Sequence, residues 1–157
     1  MDHQGFERTV KKSADQIGAS ATIDVNFSDY NGWCIKTEKS DAVYFVMGGE
    51  KRYIPNMDTL NGLFSGQNIH DGTSLVGSLW TRLVEAMPSG DDITDGAQLI
   101  QSVDSDTVFL LTNGKKYGIT SPQQFEACNF GWKKIHKYPA IIIDAIPNGG
   151  NDAFLRP

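Results

Sequence analysis

One pattern occurs twice, and it restricts the fold more than any other feature of the chain. Residues 41–54 run Asp-Ala-Val-Tyr-Phe-Val-Met-Gly-Gly-Glu-Lys-Arg-Tyr-Ile, and residues 106–119, which begin 65 positions later, run Asp-Thr-Val-Phe-Leu-Leu-Thr-Asn-Gly-Lys-Lys-Tyr-Gly-Ile. A second echo closes each copy, since 85–90 and 144–149 both end in Pro-x-Gly. Repeated supersecondary units of this size stack to share a core that neither buries alone. The pattern therefore speaks to architecture before it speaks to chemistry.

Both copies read as a β-hairpin followed by a short helix. Residues 108–111 are apolar and β-prone, Asn113-Gly114 is the strongest short-range hairpin signal, and Lys115 to Ile119 returns antiparallel. Gly48-Gly49 takes the turn position in the earlier copy. Ser121-Pro122 with Gln124 at N3 starts a helix, and Asn56 with Asp58 starts its counterpart. Gly66 and Gly131 end the two helices. Leu75, Leu79, Leu83 and Met87, with Val76, Trp80 and Val84, mark a further helix of about three turns. Residues 139–146 are β-rich in composition, whereas the repeat symmetry makes Pro139 the start of a short helix.

The flanking segments are less regular. Residues 1–18 fit a loose helix, 19–27 alternate as a strand, and Asp29 to Gly32 reads as a turn. Trp33-Cys34-Ile35 reads as a strand of a degenerate further copy. Gln98-Leu99-Ile100 and Phe154-Leu155-Arg156 follow the two Pro-x-Gly turns, the latter as a terminal strand tied into the sheet. The expectation is a single α+β domain, 1–157, of mostly antiparallel hairpins with short helices. Its two diverged units span about 41–96 and 106–157, after an N-terminal segment, 1–40.

Composition excludes several classes. Apolar content of 39% with 21% charge is that of a globular chain, and 157 residues bury roughly 70% of their extended surface without metal or disulfide. Cys34 and Cys128 read as two buried thiols rather than a bridge. The net charge of -5 argues against general nucleic-acid binding. Residues 40–106 carry ten acids to three bases, and 107–157 carry six bases to three acids, an asymmetry that could orient a partner. There is no apolar run long enough to span a membrane. The start lacks a basic and then apolar secretory pattern, so a cytoplasmic protein and a form without its signal are equally consistent.

Residues 106–149 resemble a repeat module of bacterial exported and cell-surface proteins. The residues concerned are Val108 to Pro122, then Phe125, Gly131-Trp132 and the closing Ala145-Ile146-Pro147-Asn148-Gly149. Residues 41–90 resemble it less, with Gly66 lacking a following tryptophan. The resemblance implies a non-catalytic, secreted or surface-exposed module with a scaffold or binding role.

The residues themselves frame no catalytic centre. His3, His70 and His136 have no partner at metal-ligand spacing, so neither metal nor cofactor is expected. The order of Asp91-Asp92-Ile93-Thr94-Asp95-Gly96 is not that of an EF-hand, and it reads as a polar turn. Asp104 and Asp106 flank a strand start. There is no Gly-x-Ser-x-Gly elbow. Lys133, Lys134, His136 and Lys137 read as a solvated basic edge, which with Lys115 and Lys116 could gather an anionic polymer if the two stretches converge. Trp80 and Trp132 read as core residues. Tyr53 and Tyr117 are the exposed aromatics of the hairpins, with Arg52, Lys115 and Lys116 beside them as ligand-binding candidates for a glycan or wall polymer. In the register of the echo Arg52 lies opposite Tyr117, and Tyr53 opposite Gly118, so a site built there is not repeated. The alternatives are a protein-interaction or structural subunit, including a homo-oligomer, and, behind these, a small hydrolase.

Overall fold

A computed structural model describes residues 25–66, 68–72 and 77–156, with the backbone alone at 77 and 78. The helix expected over 1–18, most of the strand expected over 19–27, and Leu75 and Val76 lie outside the described residues. Phe27–Tyr30 is a 3-10 turn capped by Asn26, not the end of a strand.

Nine strands and four α-helices occur among the described residues, arranged as an α+β fold in two sheets. The first sheet holds β1 (Cys34–Ile35), β2 (Tyr44–Met47), β3 (Glu50–Tyr53) and β4 (Ile69–His70) in the order β3-β2-β1-β4. The second holds β5 (Gln98–Ser102), β6 (Val108–Thr112), β7 (Lys115–Ile119), β8 (Ile135–Tyr138) and β9 (Asn148–Gly150) in the order β8-β5-β6-β7-β9. Helices α1 (Met57–Leu63) and α3 (Pro122–Ala127) follow the hairpins, while α2 (Gly77–Ala86) and α4 (Ala140–Ala145) precede the Pro-x-Gly exits.

The two sheets share one pairing scheme. Cys34 faces Phe45 and Leu99 faces Leu110; Phe45 faces Arg52 and Leu110 faces Tyr117. Each of these positions in the second sheet lies 65 residues beyond its counterpart. The parallel pairs Cys34 with Ile69 and Leu99 with Ile135 follow the same plan. So does the single bridge of Lys51 with Ser89, which matches Lys116 with Asn148. Trp33-Cys34-Ile35 thus opens the first sheet, and Gln98-Leu99-Ile100 opens the second instead of closing the first. Local chemistry agrees at both hairpins: Gly48, Gly49, Asn113 and Gly114 all have positive φ, the backbone that a tight two-residue turn needs.

A shared core lies between the sheets. Phe45, Leu60, Leu63 and Phe64 from one half meet Leu99, Leu110, Phe125 and Phe130 from the other. Its centre is a short antiparallel bridge of Phe64 with Phe130, whose rings stack with centroids 5.4 Å apart. Ser65 N–H donates to the Asn129 carbonyl at 2.9 Å, and Gly131 N–H donates to the Leu63 carbonyl at 3.0 Å. The halves also exchange exits: Gly48 N–H donates to the Ala153 carbonyl, and Asn113 N–H donates to Thr94 Oγ1. Phe154 is buried here, but its segment is a turn, not a terminal strand. Asn31 Nδ2 donates to the Leu155 carbonyl, and Arg156 Nε donates to the Asn31 carbonyl. These side-chain bonds satisfy the backbone that a strand ladder would have paired.

A second, smaller core lies on the outer face of the first sheet, where Trp80, Leu83, Val84 and Met87 cover Ile35 and Val46. Helix α4 covers the second sheet more thinly. It buries Ile143 but leaves Ile141 79% exposed.

The buried thiols make stability depend on alkaline pH. Cys34 is pushed up to about 12 by burial and then by the neighbouring Cys128; burial pushes Cys128 to about 12 against the pull of Arg156. A thiol that ionises near 9 when unfolded and near 12 when folded stabilises the chain fully below pH 9. That contribution falls as pH rises from 9 toward 12, by about 1.4 kcal/mol per pH unit and thiol. Urea unfolding under reductant should therefore show a steeper alkaline loss than in a Cys128→Ala variant; equal slopes would contradict it.

Candidate functional site

The hairpin residues that looked most like a ligand site are largely structural. Lys116 is only 9% exposed, and its Nζ donates to the Ile143 carbonyl at 2.8 Å while lying over the Phe109 ring. Lys51, its counterpart, donates to the Val84 carbonyl at 2.6 Å and lies over Tyr44. Each ammonium thus meets a carbonyl near a helix C-terminus, where the orphan acceptors and the negative end of the helix dipole favour a cation. Burial lowers the Lys51 ammonium below the ordinary lysine range, against the attraction of Glu85. The lysine at the second position of each return strand ties the sheet to its outer helix and is not offered to a surface ligand.

Arg52 and Tyr117 occupy equivalent positions under the two exits. A Cβ on Gly149 would fall 2.5 Å from the Tyr117 ring, and one on Gly90 would fall 2.6 Å from Glu50 Oε1 and 3.1 Å from Arg52 Cζ. The repeated Pro-x-Gly is explained by this close approach of backbone to side chain. Arg52 Nη2 is paired with Glu50 Oε1 at 3.1 Å, and its Nε is buried without a hydrogen-bond partner. Tyr53 is 38% exposed and packs edge-on against Tyr44 on the other face of the first sheet. Lys115 is exposed at the tip of its hairpin. The five candidates, Arg52, Tyr53, Lys115, Lys116 and Tyr117, therefore do not converge on one surface. The basic stretch in and before β8 is also separated from Lys115 by β5 and β6, about 14 Å of sheet.

The acidic turn is used internally as well. Asp95 Oδ1 accepts from Asn56 Nδ2 at 2.8 Å and from Thr59 Oγ1 at 3.3 Å, which fastens the turn to the start of α1. Among the described residues no group of three or more His, Cys, Asp or Glu side chains could hold a metal ion.

A different feature stands out, and it corrects the sequence-based placement of Trp132 in the core. Trp132 is 48% exposed and lines a groove of about 560 Å³ at one end of the second sheet. Val108, Ile119 and Phe125 form its apolar floor, with Gln101, Asp106, Thr107, Thr120 and Ser121 as polar lining. The indole stacks on Phe125 with centroids 3.9 Å apart and planes 26° apart, and Nε1 donates to Glu126 Oε2 at 3.2 Å. One ring face is thus seated on the protein and the orientation is held. Trp132 follows the Phe130 bridge by two residues, as Gly66 follows Phe64, so the first half places no side chain at the matching position. The sequence pairs Gly66 with Gly131, and only the Phe64 and Phe130 bridge sets Gly66 against Trp132; tryptophan's general preference for burial further concealed the site.

No known protein family, curated protein or solved structure matches the chain. Among the described residues no helix is long and apolar enough to cross a membrane.

Proposed function

We propose that this chain is a non-catalytic carbohydrate-binding module whose ligand site is the Trp132 groove. The observation that carries this reading is a half-exposed indole, seated on Phe125 and oriented by Glu126, at a position where the other half manages with glycine. A flat apolar ring beside hydroxyl and amide groups suits the C–H face and the hydroxyl rim of a sugar. The resemblance to surface-protein repeat modules points the same way. The groove lining takes the place of the hairpin tyrosines and lysines as the proposed ligand-binding set.

Titration of soluble wall-polysaccharide fragments, followed by calorimetry, tests the reading. Trp132→Ala should weaken binding by about two- to twelvefold, since an aromatic stacking contact contributes about 0.5–1.5 kcal/mol. The variant should keep the native circular dichroism, because the fold closes the same turn with Gly66 in its first half. Undiminished binding by Trp132→Ala, or no binding by the folded parent, would count against the groove.

A protein-interaction role is the second reading, favoured by Ile141, Ile142 and Val103 standing exposed on the second half. Sedimentation of Ile141→Ser beside the parent separates the two, because only an interaction surface would lose an assembly.

A further inference from the structure

We infer that the Trp132 groove selects basic sugars, glycans with free amino groups, over acidic ones. The inference rests on the carbohydrate reading above and adds the charge of the ligand.

Asp106 is the ionisable side chain lining the groove, and it is exposed at the start of β6. The indole brings a second carboxylate close by, since Glu126 accepts its N–H. An aromatic face itself attracts a cation through its quadrupole. The basic residues nearby are directed elsewhere or stand outside. Lys133, next to Trp132 in the chain, is exposed but outside the groove lining, and Lys134 Nζ donates to the Asn61 carbonyl at 2.6 Å. Exposed Lys137, the register partner of Gln101 on β8, is likewise outside the lining. A protonated amine near the indole would thus meet Asp106 with favourable sign. A uronate or phosphate there would meet the same carboxylate without a counter-charge in the lining, so rejection follows from repulsion as much as from lost attraction.

The test uses three tetrasaccharides: fully deacetylated glucosamine, N-acetylglucosamine and galacturonate. Each is titrated into the whole chain at mildly acidic pH, where the amines are protonated. The glucosamine tetramer should bind about fivefold tighter than the N-acetylated one, the scale of an exposed ion pair. The galacturonate tetramer should bind weakest of the three. Added salt should erode the amine preference and leave the N-acetylated affinity unchanged. Asp106→Asn should bring the glucosamine and N-acetylglucosamine tetramers to equal affinity, and the loss of that ratio is a readout that general loss of folding would not reproduce. Galacturonate binding as tightly as glucosamine, or a preference that survives Asp106→Asn, overturns the selectivity and leaves the carbohydrate reading standing. Failure of all three to bind the folded chain overturns both.

Discussion

Phe130→Ala should destabilise the chain by about 3–5 kcal/mol, the range for truncating a buried phenylalanine. Phe130 is 2% exposed, and its ring meets Phe45, Phe64, Phe125 and Phe154. It also forms the backbone bridge that joins the two halves, so the cavity would open where both sheets depend on it. Domains of this kind are stable by about 5–15 kcal/mol, so the variant should unfold at a much lower urea concentration. Phe64→Ala should be comparably damaging, because Phe64 is the stacked partner. The double variant should lose less than the sum of the two, since the second truncation removes an interaction already broken. A loss below about 1 kcal/mol for Phe130→Ala would mean that the halves do not depend on this seam.

The second large effect separates two adjacent lysines. Lys116→Ala should cost about 2–3 kcal/mol, because hydrogen bonds made by charged groups contribute about 1.5–3 kcal/mol and the buried stem also packs. The bond lost is the one from Nζ to the Ile143 carbonyl, together with the position over Phe109. Lys115→Ala, one residue away, should stay within about 0.5 kcal/mol, since that side chain is exposed on the turn. Lys116→Met, which keeps an unbranched apolar stem, should recover part of the loss and no more. Chemical unfolding of the three variants beside the parent reads all of this. Equal effects at 115 and 116 would refute the anchoring role.

These expectations rest on features that differ in how far the chain declares them locally. The hairpins were legible because strand alternation, Gly48-Gly49 and Asn113-Gly114 act over a few residues. The starts of α1 and α3 were legible for the same reason: Asn56 Oδ1 accepts from Thr59 N–H and Ser121 Oγ from Gln124 N–H, caps that lie within one turn. Pro139 likewise precedes a helix, with Ile143 buried in spite of a β-rich composition. The first strand of each sheet was harder to assign. Cys34–Ile35 and Gln98–Ser102 carry no turn of their own, and their membership depends on pairing with β2 and β6 across intervening loops.

The candidate site was legible in part. Tyr53 and Lys115 are exposed on their hairpins, yet Lys116 and Tyr117 are taken up by α4 and the Gly149 exit, more than twenty residues onward. Trp132 moved the other way, from expected core to groove wall, because Phe125 and Phe130 already fill the space beneath it.

The sequence by itself determined the α+β class, the two hairpins, their helix starts and the Pro-x-Gly exits, because turn geometry, capping and side-chain alternation are short-range. Tertiary structure decided which lysine is buried, why each exit needs glycine and which tryptophan meets solvent. Those outcomes depend on what packs above each residue, and the packing partners come from distant parts of the chain.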